Sequence, residues 1–164
     1  LGVVFPITLI VSAFSNLVGM GGAPLASIFL GEQKKEEAGE VFNTGVGLLS
    51  VFAVLLTAVV LIFCDSLVNL FGAPADSFDC ARGYLFVYGC GTVFVLFSLG
   101  LNPFITAQGY SVTSMLTVAI GAVLNIALDP LFIFVFKMGV EGAALATVLS
   151  QGVSAVWVIS FFFR

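Results

Sequence analysis

Long apolar stretches separated by short polar ones set the pattern of this chain. A membrane-spanning helix needs about 20 mainly apolar residues. Five segments meet that length: roughly 2–30, 43–64, 80–105, 113–136 and 142–163. The polar interruptions between them carry as much information. GEQKKEEAGE (31–40) is the only dense charge cluster and reads as a solvated cytoplasmic loop or surface helix. DSLVNLFGAPADSFD (65–79) reads as an external loop holding a short interfacial helix. ITAQGYSVTS (105–114) carries no charge. Gly109, with Ser111 or Thr113 as a helix cap, predicts a tight turn there. KMGVEG (137–142) predicts a second short turn. The fold class that follows is all-α, a polytopic transmembrane helix bundle.

Composition agrees with the pattern. The chain is 60% hydrophobic and 9% charged, with a mean hydropathy of +1.22, whereas soluble domains carry roughly 25% charged residues. Five basic residues spread along 164 positions form no basic patch, which argues against nucleic-acid binding. The chain has no histidine, so the commonest metal ligand and general base are missing. Cys64, Cys80 and Cys90 have no CxxC spacing and read as small buried hydrophobes. Lys34 and Lys35 place the 31–40 segment on the cytoplasmic side; alternation then puts Arg164 inside, and Arg82 and Lys137 outside. The start, LGVVFPI, lacks an initiator Met and a charged leader, and reads as the interior of a longer protein. GMGGAP (19–24) lacks the lysine and preceding strand of a phosphate-binding loop. A broken or tightly packed helix end accounts for it better.

The candidate chemistry centres on AVLNIALDPLFIF (122–134). An aspartate at a helix centre costs about 2.5–3.5 kcal/mol to insert, and such residues face a bundle interior or a water-filled cavity. Asn125 lies four residues before Asp129, on the same helix face. Pro130 lacks an N–H and deprives the Ile126 carbonyl of its helical partner. The stretch therefore gathers a carboxylate, a carboxamide and a freed carbonyl, which are hard oxygen ligands. In an antiparallel hairpin centred on residue 138, Asp129 falls level with Thr147 and Asn125 with Gln151. Ser150 and Ser154 continue that polar stripe. Hydrogen-bonded helix packing explains Ser150 and Ser154, but an ionisable residue is an expensive way to join helices. Asp129 is read instead as a group that takes up a proton or a small cation. Softer candidates for lining a cavity are Gln151, Asn102 and Gln108. Asn102 and Pro103 are read as interrupting the third span, and Pro6 as breaking the start of the first.

GMGGAPLASIFLGE (19–32), GLNPFITAQG (100–109), SMLTVAIGAVLNIALDPLFIF (114–134) and MGVEGAALATVLSQ (138–151) closely resemble the multidrug and toxic compound extrusion (MATE) family. The likeness is to its bacterial and archaeal branch, with Asn-x-x-x-Asp-Pro in the fifth helix. It implies about twelve transmembrane helices in two lobes around a central cavity, in the cell (inner or plasma) membrane. The chain would supply helices two to six of the N-terminal lobe; the first helix and the C-terminal lobe would complete it as partners of the same polypeptide. The resemblance also implies a cation-coupling site at Asn125, Asp129 and Thr147, joined by an aspartate from the first helix. Pro130 would be the hinge of the fifth helix.

The activity implied is secondary active efflux: H⁺ or Na⁺ moves in exchange for organic, often cationic, small molecules, by alternating access. No cofactor is implied beyond that coupling ion, with Na⁺ a candidate at Asp129 and Asn125. No residue is assigned a catalytic role. Two other readings stand beside it. A lipid-linked oligosaccharide flippase of the same superfamily would need basic residues in its cavity to hold a pyrophosphate, and the spans have almost none. A structural membrane subunit would use Asp129 for stability alone. An intramembrane enzyme would need a second acid, a Ser/His pair or a metal cluster.

Overall fold

The computed structural model describes residues 4–72 and 77–163. Among them are six helices: α1 (Phe5–Gly31), α2 (Lys35–Ile62), α3 (Cys64–Leu70), α4 (Phe78–Ala107), α5 (Ser111–Pro130) and α6 (Gly139–Phe162). A π-helical turn, Leu131–Val135, continues α5. All but α3 are long and apolar enough to cross a membrane, and the chain is a multi-pass membrane protein. Residues 73–76, in the middle of the expected external loop, lie outside the described residues. So do residue 2, where the first span was expected to begin, and Arg164, used to orient the last.

Two local expectations are corrected and a third is narrowed. Of the loop and the helix read for the charged segment 31–40, most is helix, because α2 begins at Lys35 and only Glu32–Lys34 connect it to α1. Glu36 and Glu37 sit in the first turn of α2, where carboxylates meet the positive end of the helix dipole. The turn closes with Gln33 at φ 61° and a Lys34–Glu32 ion pair at 2.8 Å. Next, Pro6 does not break α1. It occupies the first turn, where its missing N–H has no partner to lose. The helix also runs unbroken through Pro24, as α4 does through Pro103. Membrane helices tolerate such prolines when neighbours hold the freed backbone in place. Finally, neither Ser111 nor Thr113 caps α5. Tyr110 stands at the cap position and no side chain bonds there; Gly109, at φ 87°, makes the turn.

The bundle is organised around α4, which packs against every other helix. More than half of its apolar span is buried (56%), against 6% for Ser111–Val135. Small residues let the helices approach closely. The Gly19 Cα faces the Gly100 carbonyl and the Pro103 ring, and Gly22 and Gly45 meet the Phe104 ring. Phe104, Leu49, Leu96 and Ile105 form the core at this level, almost wholly inaccessible. A second cluster, with Val60, Val68 and Leu85, closes the other end around α3. GMGGAP is therefore a packing element within a continuous helix.

The cysteines differ from expectation too, since only Cys64 is buried and Cys80 and Cys90 are exposed. Burial and the adjacent Asp65 carboxylate push the Cys64 thiol up, against a smaller opposing effect of Arg82. A thiolate is the reactive form, so Cys64 should label slowly. Cys80, exposed in the first turn of α4, should react quickly with a membrane-impermeant maleimide applied to intact cells. Cys90 lies mid-span and should stay unmodified. Mass spectrometry showing Cys80 labelled only after the cells are opened would invert the expected topology.

Candidate functional site

Antiparallel α5 and α6 build the site, and the π-helical turn sets their register. Pro130 has no N–H, and the Leu131 N–H donates to the Leu128 carbonyl. The chain then widens, with the Phe136 N–H reaching the Leu131 carbonyl at 3.0 Å. A π turn takes more residues per turn than an α turn, so α5 advances less along the membrane for each residue. Asn125 consequently pairs with Thr147, its Nδ2 donating to Thr147 Oγ1 at 3.4 Å. Ser154 Oγ donates to the Thr117 carbonyl at 3.2 Å. Both pairings centre near residue 136. The expected level pairs, Asp129 with Thr147 and Asn125 with Gln151, are thus displaced by one helical turn. Gly142 makes the close approach possible, because a Cβ there would lie 3.0 Å from the Phe132 backbone.

A cleft of about 220 Å³ opens between α4, α5 and α6. Asn102, Asn125, Thr147 and Gln151 all line it, together with Ser98, Thr117, Ser150 and Ser154. Asp129 lies one turn beyond, half-buried on α5, and its Oδ1 is buried with no hydrogen-bond partner among the described residues. Thr147 Oγ1 also donates to the Ala143 carbonyl at 3.0 Å, so one hydroxyl links the Asn125 amide to the α6 backbone. Tyr84 on α4 stands beside Thr147 and within electrostatic reach of Asp129. Sequence reasoning missed it. A tyrosine in an apolar span was visible, but not the depth at which α4 meets α5 and α6.

Gln108 is not part of this group. It lines a separate cleft of about 710 Å³ near the α4–α5 turn, with Tyr110, Thr113, Trp157, Phe161 and Phe162. Pro130 marks the change from α to π geometry. Among the described residues no three His, Cys, Asp or Glu side chains cluster as a metal site would require. Asp129, Asn125 and Thr147 instead offer one carboxylate and two neutral oxygens. Of these three, only Asn125 and Thr147 are joined by a hydrogen bond, and the buried Asp129 Oδ1 has no partner among the described residues.

An ionisable side chain and a polar cleft thus lie inside a bundle of spanning helices, where such groups mark a functional site. The chain belongs to the MatE family, whose model matches residues 1–131. Multidrug export protein MepA of Staphylococcus saprophyticus subsp. saprophyticus is 32% identical over 162 residues, 97% of this chain and 35% of the relative. Among solved structures, the "Inward-facing conformation of a multidrug resistance MATE family transporter of the MOP superfamily" is 30% identical with a TM-score of 0.93, covering 98% of this chain and 36% of that one. The corresponding "Outward-facing conformation" is also 30% identical at a TM-score of 0.93, covering 99% and 36%. The chain therefore spans about 35% of the length of the curated relatives it matches.

Proposed function

We propose that the chain is part of the N-terminal lobe of a plasma-membrane efflux transporter that exchanges H⁺ or Na⁺ for organic compounds by alternating access. The observation that carries this reading is Asp129, with a buried and unpartnered oxygen one turn from the Asn125–Thr147 hydrogen bond. Charging or neutralising that carboxylate changes which donors it attracts. Asp129 precedes Pro130 and the π turn, so the change falls where the helix has surrendered regular hydrogen bonds. Such a position can hold two backbone arrangements of similar energy. The five-helix unit superposes equally well on inward-facing and outward-facing structures, which supports a lobe that moves as one body. Organic substrates would occupy the cavity between this lobe and the remainder of the polypeptide. The multidrug export activity named for MepA supports the same direction of transport.

The test is substrate efflux from vesicles holding the full-length protein, with the H⁺ and Na⁺ gradients imposed separately. Efflux should follow one or both gradients and stop when they are collapsed. Efflux unchanged without any gradient would rule out cation coupling.

A further inference from the structure

The larger cleft, of about 710 Å³, lies away from the polar group, where the α4–α5 turn meets the end of α6. Gln108, Tyr110 and Thr113 line one side, and Trp157, Ser160 and Phe161 the other. Asn125 pairs with Thr147 and Thr117 with Ser154, and the Tyr110 ring meets Phe161 in the same register, with centroids 5.2 Å apart. The α5–α6 seam thus stays closed to its end, and the cleft lies on its flank. Phe42 fixes the depth, because its ring packs on Phe162 at 4.3 Å and on Phe104 at 5.6 Å. Phe42 follows Lys35, the first residue of α2, by two helical turns, about 10 Å. The charged residues 32–37 mark the water boundary, on the side that Lys34 and Lys35 assign to the cytoplasm. The cleft therefore spans the layer of lipid head groups and the first part of the hydrocarbon.

The lining is divided to match that depth. Trp157, Phe161 and Phe162 offer apolar faces. Gln108, Tyr110, Thr113 and Ser160 offer side-chain N–H and O–H groups, to which Trp157 adds its indole N–H. Tyr110 and Trp157 are both exposed, and Trp and Tyr are the residues enriched at head-group level. The lining residues carry no formal charge, so an ionised amine meets no carboxylate among them. Five neutral donors instead suit a group that only accepts. A phosphodiester is such a group, and in a membrane it comes attached to acyl chains. The volume lies within the roughly 300–1,000 Å³ of ligand pockets. That is room for phosphate and glycerol, with the chains leaving along the exposed surface of α5. We propose that this cleft binds one phospholipid of the cytoplasmic leaflet. The neutral donors hold its phosphate, and Trp157, Phe161 and Phe162 pack against its glycerol and first methylenes. Without a charge in the lining, zwitterionic and anionic heads are held alike.

The experiment uses purified full-length protein in detergent and phospholipid brominated on the acyl chain close to the glycerol. Titration should quench one component of the tryptophan fluorescence and saturate at one lipid per chain. Trp157→Phe should remove that component while native mass spectrometry still shows the lipid bound. Phosphatidylethanolamine and phosphatidylglycerol should bind alike. Diacylglycerol, which lacks the phosphate, should bind at least about tenfold more weakly, the scale of one hydrogen bond to a charged group. Ser160→Ala combined with Gln108→Leu should bring phospholipid down towards the diacylglycerol affinity, and retained diacylglycerol binding reports that the variant is folded. Quenching that rises with lipid without saturating, or that is unchanged in Trp157→Phe, would overturn the proposal. Equal binding of diacylglycerol and phospholipid to the wild type would do so too, as would a strong preference for the anionic head. A Trp157 shielded from the brominated lipid would mean that further polypeptide or a second copy fills the cleft, and would equally overturn it.

Discussion

Asp129→Asn in the full-length protein is expected to reach the membrane at the normal level while gradient-driven efflux falls about 5- to 150-fold, the range of coupling free energies of about 1–3 kcal/mol. The replacement has nearly the same shape and still fits beside the Asn125–Thr147 bond. What it loses is the capacity to change charge. A neutral carboxamide also avoids part of the roughly 2.5–3.5 kcal/mol that an aspartate costs at a helix centre, so lower accumulation is not expected. Reconstituted vesicles with defined gradients provide the measurement. Residual transport should respond weakly to the gradient, because the variant presents the same neutral group under all conditions. Intact efflux with intact gradient dependence would remove Asp129 from coupling. A change in stability without a change in flux would instead match a purely structural subunit.

The spans were legible in the sequence because membrane insertion imposes a one-dimensional rule on length and hydropathy. Their ends were less so. Lys35–Glu40 look like loop residues by charge, yet the same glutamates stabilise a helix start. Proline was misread at positions 6 and 103, where either the first-turn position or surrounding helices absorb the missing hydrogen bond. The polar composition of the cleft was also visible, in Asn102, Asn125, Thr147 and Gln151. Their pairing was not, because it depends on a π turn after Pro130 that alters the rise of α5. Tyr84 and Ser98 come from α4, and only the packing of α4 on the hairpin brings them to the site. Periodicity along one helix carries no information about that depth.

Gly19→Ala is expected to destabilise the lobe by about 1–3 kcal/mol, the usual cost of overpacking a close contact, and Gly19→Leu by more. A Cβ at Gly19 would sit 2.8 Å from the Gly100 carbonyl oxygen and 2.9 Å from Pro103 Cγ. Neither neighbour can rotate away, since one is helix backbone and the other a ring fused to it. Gly100 is itself pressed by the Leu49 side chain, so α4 has no free space into which to retreat from α1. Gly21, two residues along the same helix, has nothing within 4 Å of a Cβ placed there. Alanine at that site should be neutral or stabilising, because it is favoured over glycine in a helix interior by about 0.8–1.0 kcal/mol. Thermal unfolding of the two alanine variants in detergent should therefore move in opposite directions, or only Gly19→Ala should fall. Equal effects at both sites would mean that the α1–α4 approach is not what fixes this bundle. The same displacement reaches the cleft, because Asn102 adjoins Pro103 in the segment that Gly19 contacts.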